Sequence, residues 1–218
     1  MAPFMSPDIK ICGLKTGEAV EAALSGGASY VGFIFFPKSP RNIVPEAAGK
    51  LRVKARNRAK AVAVTVDADD AFLDHIMHGM EPDMLQLHGK ESPARVAEVK
   101  RRYGLPVIKA LSVSSAEDIG KARPYAGIAD FIMFDAKAPK GSELPGGNGV
   151  SFDWSLLRAV GPDLPYFLAG GLTAENVGEA VRIAHPPIID ISSGVETAPG
   201  VKDPALIRDF FAAVRRAR

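Results

Sequence analysis

Short apolar runs recur along the whole chain, separated by stretches that mix apolar and polar residues. The runs begin near Ile9, Tyr30, Ala61, Met84, Pro106, Phe131, Tyr166 and Ile188. Ala61-Val62-Ala63-Val64-Thr65-Val66 and Ile188-Ile189-Asp190-Ile191 are rich in β-branched residues and nearly continuous in apolarity. Strands covered on both faces of a parallel sheet need that pattern. Each interval between runs has room for one helix and two loops, which predicts eight βα units.

The helix signals agree. Thr16 is placed to cap a helix over Gly17–Leu24, and Pro45 to open one over Glu46–Lys54 as its first helical residue. Asp203-Pro204 predicts a capped last helix running through Arg216, and a helix is expected to begin near Thr173. Eight βα units close into a (β/α)₈ barrel or extend as a long doubly wound sheet. No G-x-G-x-x-G follows the first strand, which argues against the dinucleotide-binding sheet. At 218 residues such a barrel is small against the typical size of about 250. We read α/β, one (β/α)₈ barrel domain over residues 1–218.

In such barrels, chemistry gathers at the C-terminal ends of the strands. The residues there are Cys12, the segment Phe36–Arg41, Asp67, His88, Lys109, Asp135, Gly170-Gly171 and Asp190-Ile191-Ser192-Ser193-Gly194. Cys12 and Asp135 each close a buried run, a thiol and a carboxyl placed for proton transfer. The plainer reading of Cys12 is a small buried hydrophobe. The first and sixth strands lie three places apart in a closed barrel, so the two groups flank its mouth with room for a sugar between them. Small residues at Gly170-Gly171 and Ser192-Ser193-Gly194 let backbone N–H groups approach an anion, where these barrels commonly hold a phosphate. Gly146-Gly147-Asn148-Gly149 adds a third such cluster. Arg41, in a loop stiffened by Pro37 and Pro40, is suited to grip a carboxylate. Asp190 either orients substrate hydroxyls, tunes the thiol, or is a hydrogen-bonded core carboxylate.

Composition narrows the partners. The formal net charge is +2 on 27 basic and 25 acidic residues, which gives no nucleic-acid footprint. Lys50, Arg52, Lys54, Arg56, Arg58 and Lys60 alternate, and a spacing of two makes no stripe on a helix. His75 and His78 lack the further ligands a metal site needs. One cysteine excludes an internal disulfide and fits a reducing compartment. Met1–Pro7 has no apolar core of a signal peptide, and no apolar stretch reaches the ~18 residues of a membrane span. The expectation is a cytoplasmic enzyme with a small-molecule substrate, no metal, no cofactor, no nucleic-acid or membrane partner, and a monomeric or homodimeric state.

Taken in order, Lys10-Ile11-Cys12-Gly13, Val31-Gly32-Phe33-Ile34-Phe35, Pro37-Lys38-Ser39-Pro40-Arg41, Leu85-Gln86-Leu87-His88-Gly89, Phe134-Asp135, Gly147-Asn148-Gly149, Ala169-Gly170-Gly171-Leu172 and Asp190-Ile191-Ser192-Ser193-Gly194-Val195-Glu196 resemble the phosphoribosylanthranilate isomerase family of tryptophan biosynthesis. The resemblance covers nearly the whole chain. It implies an Amadori rearrangement of N-(5-phosphoribosyl)anthranilate to 1-(2-carboxyphenylamino)-1-deoxyribulose 5-phosphate, with no metal or cofactor. It carries the general base to Cys12, the general acid to Asp135 and anthranilate-carboxylate binding to Arg41. Substrate contacts are expected at Asp190 and His88, and phosphate contacts at Gly147, Gly149, Gly170, Gly171, Ser192, Ser193 and Gly194. The loop Ala136–Val150 is where other members of the family are expected to differ in length. Rival readings are a histidine-pathway sugar isomerase, indole-glycerol-phosphate synthase, and a non-catalytic phospho-sugar-binding barrel. The first needs an aspartate at strand 1, where Cys12 stands. The second needs an N-terminal lysine and glutamate pattern that is absent. The third has no use for the paired thiol and carboxyl.

Overall fold

All eight apolar runs form parallel strands: β1 (Asp8–Cys12), β2 (Tyr30–Phe35), β3 (Lys60–Thr65), β4 (Met84–Leu87), β5 (Val107–Val113), β6 (Phe131–Ala136), β7 (Tyr166–Leu168) and β8 (Ile188–Ile191). They pair in sequence order and β8 pairs with β1, closing a barrel. The computed structural model describes residues 6–139, 141–142, 144–161 and 164–217. Residues 1–5 and 218, the ends of the expected domain, lie outside the described residues.

Alternation along each strand makes two cores. Cys12, Val62, Val64, Ile108, Met133 and Phe167 point into the barrel. Ile9, Ile11, Ala61, Ala63, Leu85 and Phe134 point out against the helices. Tyr30 and Phe131 meet Phe167 edge to face at 5.3 and 5.5 Å. One strand face therefore serves the interior and the site above it, and the other serves the helical shell.

The helices are α1 (Gly17–Gly26), α2 (Pro45–Ala55), α3 (Asp70–Met80), α4 (Pro93–Tyr103), α5 (Ala116–Gly120), α6 (Val177–Ala184) and α7 (Pro204–Arg216). Thr16 caps α1 by accepting from the Ala19 N–H, Pro45 stands in the first turn of α2, and Asp203 caps α7. α7 buries Ile207, Phe210, Phe211 and Val214, a stripe worth about 1.5–3 kcal/mol per large side chain. Gly26 lets it close on α1: a methyl there would come 2.8 Å from Phe211 Cγ. Membrane-spanning length and apolarity are reached by no helix among the described residues.

Two expectations are corrected. After β6 the crossover is a 3-10 helix, Trp154–Ala159, and not an α-helix. After β7 the helix begins at Val177 and not near Thr173. Asn176 Oδ1 accepts from the Thr173 N–H and its Nδ2 donates to the Gly171 carbonyl. That side-chain turn competes with helical hydrogen bonds and delays the helix. A small hairpin, β9 (Glu196–Ala198) and β10 (Val201–Lys202), follows β8 and was not anticipated. The alternating basic residues lie at the surface of α2 and beyond, where Arg52 pairs with Glu81 and Asp83, and Arg58 with Glu21.

Candidate active site

A cavity opens at the C-terminal end of the strands. It is lined by Cys12 from β1, Arg41 from the loop after β2, Gln86 and His88 at β4, Asp135 from β6, Gly170 and Gly171 after β7, and Asp190, Ser192 and Ser193 at β8. Its empty volume, mouth included, is about 690 Å³, the size of a small-metabolite site.

Cys12 is buried, and the strand register puts it beside Gly32 of β2. Burial pushes its thiol up from the ordinary value. The Lys10 ammonium pulls it down and the Asp190 carboxylate pushes it up, and the thiol stays above its ordinary value. Lys10, two residues earlier, points the same way into the barrel and donates to Asp190 Oδ1 at 2.6 Å. Asp190 is thus an ion-paired carboxylate that also lines the cavity.

Asp135 is 5% exposed and meets His88 Nε2 through Oδ2 at 3.1 Å. Gln86 Nε2 lies 2.8 Å from His88 Nδ1, so the imidazole is held between Gln86 and Asp135. Among the described residues, Gln86 Oε1 is buried without a hydrogen-bond partner. The β6 loop lies directly over this pair: a methyl on Gly146 would run into Asp135 Oδ2 and come 2.9 Å from His88 Nε2.

Arg41 is buried and held from below. Its stem crosses Gly13, where a methyl would lie 2.8 Å from Arg41 Cδ. Nε and Nη2 form a two-pronged pair with Glu196, each at 2.8 Å, and Nη2 also reaches the Gly147 carbonyl at 3.3 Å. Nε and Nη2 therefore face inward to Glu196, while Nη1 lies beside Gly147 of the cavity lining, 2.6 Å from where a methyl on that glycine would stand. Glu196 is shared with Lys202 at 2.5 Å. Burial pushes Glu196 up, but Arg41 and Lys202 outweigh it and hold its carboxyl below the ordinary value.

Of the residues expected at the site, Cys12, Arg41, His88, Asp135, Gly147, Gly170, Gly171, Asp190, Ser192 and Ser193 line the one cavity. Gly149 and Gly194 do not. Gly149 lies nearer the rim, 4.0 Å from Ser193 Oγ when given a methyl, and Gly194 packs its Cα face onto the Leu172 carbonyl. Gly170 and Gly171 have positive φ of 89° and 62°, and methyls there would come 2.5 Å from Ala136 N and from Val150 C. Only glycine lets these loops approach so closely.

Four residues escaped the sequence reading as members of the site: Gln86, Lys10, Lys202 and Glu196. Gln86 and Lys10 stand on the inward faces of apolar strands, where a lone polar residue is itself a signal. Lys202 comes to the site through the unanticipated hairpin, and its position has no local signature.

A closed parallel barrel with a thiol and a carboxyl across its C-terminal mouth places the chain among the (β/α)₈-barrel enzymes of small-molecule metabolism. Comparison with known proteins narrows this. The N-(5'-phosphoribosyl)anthranilate isomerase family pattern matches residues 9–213. The isomerase of that name from Mesorhizobium japonicum is 66% identical over 214 residues, covering 98% of both chains. The one from Chelativorans sp. is 63% identical with the same coverage. Among solved structures, the phosphoribosyl anthranilate isomerase of Thermotoga maritima superposes with a TM-score of 0.86 at 33% identity, covering 96% of this chain and 99% of that one. An isomerase in complex with reduced 1-(o-carboxyphenylamino)-1-deoxyribulose 5-phosphate superposes with a TM-score of 0.83 at 31% identity, covering 96% and 99%. The chain belongs to the N-(5'-phosphoribosyl)anthranilate isomerase family, enzymes of tryptophan biosynthesis.

Proposed function

We propose that the protein performs the family's Amadori rearrangement with Cys12 as general base and Asp135 as general acid. The observation that carries this is the sharing of one cavity by the two groups, on strands three places apart, with Arg41 and the glycine loops around them. Substrate phosphate is held by the backbone at Gly170 and Gly171 and by Ser192 and Ser193, and the anthranilate carboxylate meets Arg41 Nη1. Asp135 gives its proton to the furanose ring oxygen, and the ring opens to a Schiff base. Cys12, as thiolate, takes the C2 proton, and the enolamine tautomerises to the ketone. Asp190 receives a substrate hydroxyl while paired to Lys10. His88 holds Asp135 in place, with its own ring fixed by Gln86.

All these groups come from one copy of the chain, so this scheme asks nothing of a second subunit. A thiol that must ionise to act is suited to the reducing cytoplasm. The test forms the substrate in place from anthranilate and phosphoribosyl pyrophosphate and follows the loss of its fluorescence when the protein is added. Fluorescence that does not fall faster than in the uncatalysed control refutes the assignment.

A further inference from the structure

Six ionisable side chains run in one buried line beneath the mouth. Asp190 holds Lys10. Lys10 and Cys12 share the inward face of β1, and their tips converge on the space that Gly32 leaves open. A methyl at Gly32 would lie 2.9 Å from Cys12 Sγ and 3.2 Å from Lys10 Nζ. From the backbone of the same residue the line continues: Ser192 Oγ donates to the Cys12 carbonyl at 3.1 Å, and Lys202 Nζ donates to that same Oγ at 3.2 Å. Lys202 then pairs with Glu196, and Glu196 with Arg41.

With an uncharged thiol this line holds three cations and two carboxylates, one positive charge too many in a place removed from water. Unbalanced buried charge is costly. A thiolate at Cys12 makes the signs alternate from Asp190 to Arg41 and cancels the excess. We propose that Lys10, seconded by Lys202, is the positioning residue that makes Cys12 a usable base, with Asp190 and Glu196 holding the two ammonium groups in place.

This rests on Cys12 being the base. Burial pulls Lys10 down, but Asp190 and Cys12 outweigh it and keep it an ammonium ion above its ordinary value. Lys202 is drawn below its ordinary value by burial, against the pull of Glu196. The other charged or titratable groups around the thiol are Arg41 from the loop after β2, and Asp135 and His88 across the cavity from β6 and β4. β2 contributes only Gly32 at this level. The thiol proton leaves through the open mouth to water, and the C2 proton of the substrate later takes its place on Sγ. Lys10 stays protonated throughout.

Cys12 is the chain's only cysteine, so the ultraviolet absorbance of thiolate, read as the difference from Cys12→Ser to remove overlapping tyrosinate, reports this one residue without any activity assay. Lys10→Met should move the thiol titration upward by about one pH unit or more, as expected for loss of an adjacent opposite charge. Turnover at neutral pH should fall about tenfold for each unit moved and return as pH is raised. Lys10→Met strands Asp190, so Lys10→Met/Asp190→Asn, which removes both charges, is the companion, and Lys202→Met is a second independent variant. Lys202→Met should shift the titration in the same direction, and the double variant should shift it upward by less than Lys10→Met alone, because Asp190 opposes Lys10 at the thiol. Purely structural lysines would lower the melting temperature and leave the thiol titration unmoved. An unmoved titration in the folded variants, beside an inactive Cys12→Ala, overturns this inference alone. Turnover surviving in Cys12→Ala overturns the base and this inference together.

Discussion

Asp135→Asn separates chemistry from packing. The two side chains have nearly the same shape, and the space over Asp135 is closed by Gly146, so a larger replacement would not fit. An asparagine can still hydrogen-bond His88 Nε2, the partner now at 3.1 Å. The contact to His88 is kept, so folding should lose no more than the worth of one hydrogen bond, about 1 kcal/mol, or roughly 2–4 °C in melting temperature for a chain of this size. What catalysis loses is the proton for the ring oxygen. Without it the opening furanose leaves an alkoxide, and the expected fall in kcat is about 10²–10⁴-fold, or about 2.7–5.5 kcal/mol of barrel-mouth chemistry. The change in KM should be small, because the amide still offers a hydrogen bond to the ring oxygen. The substrate-fluorescence assay gives kcat and KM, and circular dichroism gives the folded fraction. A folded variant that keeps more than about a tenth of normal kcat refutes the acid role, since that loss is too small for a missing proton donor.

Other substitutions test the remaining parts. Arg41→Lys should raise KM about tenfold or more, the worth of a lost hydrogen bond to a charged group, and should also lower the melting temperature, because one ammonium cannot replace both prongs on Glu196; an unchanged KM defeats the carboxylate assignment. Inorganic phosphate should inhibit competitively, and Ser193→Asp should weaken that inhibition with the fold intact. Position 193 is a cleaner place for the added charge than Gly171, where any side chain meets the Val150 and Ser151 backbone; noncompetitive inhibition would count against the site. Glu196, held below its ordinary value, contributes stability that is present above the unfolded glutamate pKa of about 4.3 and disappears as pH falls through the folded value. Denaturant melts of Glu196→Gln should therefore differ most from the parent at neutral pH and converge with it in acid, and a constant difference across pH would contradict the pairing.

The barrel was legible because its signals are local. All eight strand runs, the Thr16 and Asp203 caps and the Pro45 helix start are properties of a few neighbouring residues. Ten expected site residues share one cavity for a related reason: a barrel sends the ends of its strands to one mouth. The misses have long-range or side-chain causes. Asn176 delays α6 by bonding to Thr173 and Gly171, and apolar periodicity does not register such a bond. Gly194 carries the composition of an anion loop, yet its space is taken by the Leu172 carbonyl. Lys202 reaches the thiol's surroundings only because a hairpin folds back on Ser192. The inward fork of Arg41 was hidden as well, since Glu196 lies 155 residues away in the chain.

The register of β1 has a meaning for folding. Lys10 stands opposite Asp190, and Cys12 opposite Gly32, because β1 pairs with β8 on one edge and β2 on the other. The Lys10–Asp190 contact spans 180 residues of chain and forms only when the last strand meets the first. A one-residue slip at that seam would turn both Lys10 and Cys12 out toward the helices. Closure of the ring and assembly of the proposed base with its lysine are thus one event. During refolding, turnover should appear with the slowest, highest-contact-order step, after helix content has recovered, so that the enzyme's own activity serves as a clock for the completion of its barrel.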